Sequence, residues 1–107
     1  MVKSNADIRI LIVDDEKDVR ITMNEYLKTA GYSPHAVTCV EEALDSLKTD
    51  HFHVVITDII LPGMGGLELT KLVKKINDSD VIVMTGYSDN YSYEEAINIG
   101  ASDFVIK

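Results

Sequence analysis

A single cysteine, Cys39, leaves no internal disulfide possible and no thiolate cluster for a soft metal. Tryptophan is absent, and five Tyr and two Phe are the only aromatics, so the core must be aliphatic. Basic residues are scarce. Ten Lys plus Arg stand against eighteen Asp plus Glu, a net charge of −8, and Lys74-Lys75 is the only adjacent basic pair. Such a chain repels nucleic-acid phosphates and anionic lipid, which argues against direct binding to either. No apolar run approaches the ~20 residues that span a bilayer. The first nine residues carry no apolar run of signal-peptide length. The expectation is a reduced, cytoplasmic protein. What is present is a 46% apolar share over 107 residues, enough for one globular domain, residues 1–107.

The chain alternates strand and helix patterns. Ile8 to Val13 is a nearly continuous β-branched run that ends in Asp14-Asp15. His53 to Thr57 ends in Asp58, and Val81 to Met84 ends in Thr85. Runs this short and apolar predict strands buried on both faces, as in a parallel sheet. His35 to Val40 is mixed, as an edge strand would be, and Phe104 to Ile106 is short. Apolar residues at helical spacing fall between them. Val19, Met23, Tyr26 and Leu27 mark Asp18 to Thr29, and Ala43, Leu44 and Leu47 mark Glu41 to Leu47. Leu69, Leu72, Val73 and Ile76 mark Leu67 to Ile76, and Tyr93, Ala96 and Ile97 mark about Asn90 to Ile99. Gly31 and Gly100 follow as stops. The result is β-α-β-α-β-α-β-α-β, a doubly wound α/β sheet of five parallel strands. Such a sheet ordinarily takes five helices and this pattern supplies four. The expectation is therefore a domain truncated before its fifth helix, or a partner in that helix's place.

Ligand crevices in open α/β sheets lie at the carboxyl ends of the strands, where the strand order reverses. In the flavodoxin-like order 2-1-3-4-5, Asp14, Asp15 and Asp58 converge there. Three carboxylates need a cation, and an all-oxygen set with no His suits Mg²⁺. Thr85 and Lys107 end the last two strands. A hydroxyl and an ammonium beside a metal cluster fit a phosphoryl group on Asp58. Each feature also has a plainer reading: Asp14 or Asp15 as a helix cap, Thr85 as a turn hydroxyl, Lys107 as a solvated cation.

The stretches Ile10-Leu-Ile-Val-Asp14-Asp15-Glu16, Val55-Ile-Thr-Asp58-Ile-Ile-Leu-Pro62-Gly-Met64-Gly-Gly66-Leu-Glu-Leu, Val83-Met-Thr85-Gly86-Tyr87 and Gly100-Ala-Ser-Asp103-Phe104-Val-Ile-Lys107 together resemble the receiver domain of bacterial two-component response regulators. The resemblance covers nearly the whole chain. It implies that Asp58 takes a phosphoryl group from a sensor histidine kinase or phosphotransfer protein. It implies that Asp14, Asp15 and Asp58, with the Ile59 carbonyl, hold Mg²⁺. Lys107 would contact the phosphoryl group, with Thr85 and Phe104 as the switch pair. Ile60, Gly86 and Tyr87 would tune access of water to the acyl phosphate. Self-phosphorylation from phosphodonors and slow self-dephosphorylation are expected rather than steady turnover. The fourth helix and fifth strand would form the surface for a homodimer or an output domain. Two alternatives are a pseudo-receiver that only binds proteins and a Mg²⁺-dependent phosphohydrolase. The second would usually carry an acid where Ile60 stands. Pro62, Gly63, Gly65 and Gly66 read first as a tight turn around Met64, His35, His51 and His53 as surface or structural residues, and Cys39 as a small buried hydrophobe.

Overall fold

The computed structural model describes residues 5–59, 61, 63, 65–76, 79–85 and 100–106, apart from the side chains of Asn5, Phe104 and Ile106. After a short 3-10 turn, Asn5–Asp7, the strands are β1 (Arg9–Val13), β2 (Ser33–Val37), β3 (Val54–Asp58), β4 (Asp80–Thr85) and β5 (Asp103–Ile106). The helices are α1 (Lys17–Thr29), α2 (Val40–Thr49) and α3 (Gly66–Ile76). All strand pairs are parallel, in the order β2-β1-β3-β4, with β5 alongside β4. The fourth helix expected near Asn90 to Ile99 lies outside the described residues.

Alternation along β1 divides the core. Leu11 and Val13 face one side, where they meet Val40, Ala43 and Leu47 of α2 and Leu69 and Val73 of α3. Ile10 and Ile12 face the other, with Ile56, Met84 and the α1 residues Met23 and Leu27. A period of two within strands buried on both faces produces this split. No residue of α1 is fully buried. Its side of the sheet is the thinner layer among the described residues.

Two boundaries differ from the sequence reading. The edge strand is Ser33–Val37, earlier than His35 to Val40, and Val40 opens α2. Pro34 lacks an N–H, and an edge strand tolerates that loss. Val40 is only 1% exposed because it enters the core from the first turn of α2. Tyr26, assigned to the apolar stripe of α1, is 72% exposed, and Ile76 at the end of α3 is also exposed. Cys39 is half-buried rather than core, with its Sγ 3.7 Å from Glu42 Oε1.

Gly31 stops α1 as expected. Its φ of 96° lets the Tyr32 N–H reach the Leu27 carbonyl at 2.9 Å while its own N–H meets that of Lys28 at 3.0 Å. These two bonds satisfy carbonyls that the last turn would otherwise leave open. At the amino-terminal pole of the sheet, Phe52 is fully buried. The Arg9 guanidinium stands 4.9 Å from its ring centroid, and His35 stacks on it at 6.2 Å. His53 Nδ1 accepts the Arg9 N–H at 3.0 Å. His35 and His53 thus serve packing and hydrogen bonding around Phe52 and Arg9. Among the described residues no helix is long and apolar enough to cross a membrane.

Candidate functional site

Strand register sets the site. Val13 pairs with Thr57 and Asp58 with Met84, so Asp14 and Asp58 leave the sheet side by side and Thr85 lies one step further on β4. This is the point between β1 and β3 where the chain has turned from one direction of winding to the other, the place where open α/β sheets bind ligands. Asp14 is fully buried, and Asp58 and Thr85 are only 6% and 4% exposed.

Local bonds hold the acids. The Asp14 N–H continues the β1 ladder by donating to the Val37 carbonyl at 3.2 Å. Asp14 Oδ1 accepts the Glu16 N–H at 2.8 Å. The Asp14 carbonyl accepts from Arg20 Nη1 at 2.9 Å. Asp14 therefore ties down the loop that enters α1 while also standing in the acidic group, and it is not the helix cap of the plainer reading. The residue at the helix N-cap position is Glu16, with no side-chain cap of its own.

Carboxylate oxygens of Asp14, Glu16 and Asp58 all lie within 4.8 Å of one another. At that separation two carboxylates repel by on the order of 3 kcal/mol at an effective dielectric near 20. A hard divalent cation relieves this, and three oxygen donors with no nitrogen or sulfur fit Mg²⁺. Glu16 is the residue that sequence reasoning did not single out. The signal was available in the Asp14-x-Glu16 spacing, because an Asp side chain that bonds the backbone two residues on folds the chain back. Asp15, expected as a ligand, is exposed and not part of this group. The Ile59 carbonyl, also expected as a ligand, accepts the Gly66 N–H at 2.9 Å, and the Ile59 side chain is core. Ile60, Gly86, Tyr87 and Lys107 lie outside the described residues, as does the side chain of Phe104.

A parallel doubly wound sheet with buried carboxylates and a hydroxyl at its switch point is the architecture of a Mg²⁺-using phosphoacceptor signalling domain. The chain belongs to the response regulator receiver domain family, whose model matches residues 10–107. It is 35% identical over 99 residues to the C4-dicarboxylate transport transcriptional regulatory protein DctD of Rhizobium meliloti, covering 92% of this chain and 22% of that protein. It is 36% identical over 100 residues to the regulatory protein VanRB of Enterococcus faecalis, covering 94% and 46%. The chain thus spans less than half the length of both relatives. Among solved structures it is similar to the response regulator TrrA of Thermotoga maritima in complex with Mg²⁺ and BeF, with a TM-score of 0.84 and 35% identity, covering 94% of this chain and 86% of that one.

Proposed function

We propose that Asp58 is the phosphoacceptor of this domain. The observation that carries the reading is the grouping of the nearly buried Asp58 carboxylate with those of Asp14 and Glu16 within 4.8 Å. The complex of TrrA with Mg²⁺ and BeF supports it at 35% identity. An Asp58 oxygen attacks the phosphorus of the donor, and the bond from phosphorus to the donor's imidazole or carboxylate breaks. The departing group leaves with its electron pair, and an aspartyl phosphate forms. Later attack by water returns the carboxylate and inorganic phosphate. Mg²⁺, when bound, supplies positive charge against the phosphoryl oxygens.

The chain's own residues orient the reaction. Asp14 and Glu16 carry the charge that holds the cation beside Asp58, with Asp15 at the rim of the same loop. The Thr85 hydroxyl, at the end of β4, donates to a phosphoryl oxygen, and the Lys107 ammonium takes another. Ile60, Gly86 and Tyr87 set how readily water reaches the acyl phosphate. Thr85 and Phe104 relay the change to the surface of the fourth helix and β5, where a second copy or an output domain docks. The donor is the phosphohistidine of a sensor kinase or phosphotransfer protein. Residues 1–107 make one receiver domain, in the flavodoxin-like order with β5 at the far edge.

Incubation with a small acyl phosphate and Mg²⁺ tests the assignment. One phosphoryl group should add per chain, and Asp58→Asn should abolish it. Label of equal extent in Asp58→Asn would overturn it.

A further inference from the structure

The peptide that follows the phosphoacceptor is gripped from several sides. The Thr57 hydroxyl, on a fully buried side chain, donates to the Asp58 carbonyl at 3.0 Å. The Ile59 N–H donates to the Met84 carbonyl at 2.8 Å, and the Ile59 carbonyl accepts the Gly66 N–H at 2.9 Å. Gly66 opens α3 and is itself buried. A Cβ on Gly66 would stand 1.9 Å from the Asp58 carbonyl oxygen, 2.9 Å from the Asp58 carbonyl carbon and 3.1 Å from Ile59 Cα. Real Cβ atoms do not approach that closely, so a side chain here must push the two backbones apart. Thr70 Oγ1 anchors the same turn by donating to the Gly66 carbonyl at 2.8 Å.

We infer that Thr57 and Gly66 are positioning residues for phosphoryl transfer: together they clamp the Asp58–Ile59 peptide between β3 and the first turn of α3, and so fix where the Asp58 carboxylate meets the cation and the donor. Neither side chain touches the reacting atoms. The Asp58 side chain hangs from the clamped backbone, so a shift of the peptide moves the nucleophile by a similar amount. A misplacement of about 1 Å costs about 10²-fold in a reaction that depends on alignment. The inference rests on the reading of Asp58 as phosphoacceptor.

The test compares wild type with Thr57→Val, Thr57→Ser, Gly66→Ala and Gly100→Ala, with rates expressed per folded molecule. Thr57→Val removes the donor and keeps the shape, while Thr57→Ser keeps the hydroxyl. Gly100, at a φ of 104° with Lys74 Cγ 3.1 Å from where its Cβ would be, lies at the other pole of the sheet and controls for stability loss alone. Acyl-phosphate labelling should slow about 10²-fold in Gly66→Ala and about 3- to 10-fold in Thr57→Val, by partial loss of the same alignment. Thr57→Ser should recover the wild-type rate, and Gly100→Ala should melt earlier yet label normally. Mg²⁺ titrations, which need no phosphodonor, should show weaker binding in Gly66→Ala and Thr57→Val. If Gly66→Ala fails to fold, the Val and Ser variants at Thr57 decide the matter. Wild-type labelling with normal rates and normal Mg²⁺ affinity in Thr57→Val would overturn the clamp. Absence of label on the wild type would overturn the phosphoacceptor reading and the clamp with it.

Discussion

Asp14 and Glu16 are joined by a bond that turns the chain back on itself: Asp14 Oδ1 accepts the Glu16 N–H at 2.8 Å, and the Glu16 carboxylate returns to within 4.8 Å of those of Asp14 and Asp58. A side chain at the mouth of α1 thereby adds a third negative charge to the site. Cation affinity in oxygen sites rises with the number of charged ligands. Glu16→Gln should therefore weaken Mg²⁺ binding by about 3- to 10-fold, an effect of roughly 1 kcal/mol. Titration followed by amide shifts near Asp14 and Asp58 measures it. Unchanged affinity would remove Glu16 from the site.

The same crowding predicts a stability signature. Without Mg²⁺, Asp58→Asn removes one of three mutually repelling charges and should stabilise the fold by about 1–3 kcal/mol, since water screens the exposed Glu16 charge. With Mg²⁺ the order narrows. At ten times its dissociation constant the ion stabilises the wild type by about 1.4 kcal/mol, and the variant gains less. Thermal melts with and without Mg²⁺ check both halves. A metal-free Asp58→Asn variant less stable than wild type would contradict the repulsion.

Phe52 anchors the opposite pole, fully buried beneath the Arg9 guanidinium and beside His35. Phe52→Ala should cost about 3–5 kcal/mol, a large part of the 5–15 kcal/mol typical of such a domain. Denaturant unfolding reads this directly. A loss under 1 kcal/mol would mean that the pole is not packed as described.

The start of α2 carries a pH dependence. Glu42 Oε1 accepts from the Thr38 hydroxyl and, at 3.1 Å, from the Thr38 N–H. The hydroxyl bond, then the backbone bond, hold the Glu42 carboxyl below its ordinary value of 4.5, with smaller help from Cys39 and the Arg20 charge. A folded value below the unfolded one contributes stability that is present above pH 4.5 and lost as the pH falls through the lowered value. The Glu42 carboxyl signal should titrate below 4.5 in the folded protein, and Thr38→Val should move its midpoint upward. A midpoint at or above 4.5 in the wild type would contradict this arrangement.

The central strands were legible because β1, β3 and β4 are buried on both faces and so read as unbroken β-branched runs. Asp58 was legible because it ends one of those runs. The edge strand was not, since Ser33 to Val37 has only one neighbour to satisfy and admits Pro34. Tyr26 follows the helical spacing of the α1 stripe yet stays 72% exposed, because a spacing rule does not record where the packed face of a helix ends. The place of Glu16 depends on a side-chain-to-backbone turn, which no apolar periodicity records. Thr57 read as one more strand residue and Gly66 as loop. The tight approach of Gly66 to the Asp58 carbonyl exists only once α3 has docked on the sheet, and the bond of the Thr57 hydroxyl to that same carbonyl leaves no mark in the apolar pattern.

The most direct measurement traps the acyl phosphate itself. The wild-type chain is incubated with acetyl phosphate and Mg²⁺, reduced with borohydride, digested and sequenced by mass spectrometry. Borohydride converts an aspartyl phosphate to homoserine. Homoserine at position 58 and at no other Asp, absent when Mg²⁺ is chelated, is the expected result. Homoserine at Asp14 or Asp15, or none at position 58 in the folded, Mg²⁺-loaded protein, would contradict the assignment of Asp58 as the phosphoacceptor.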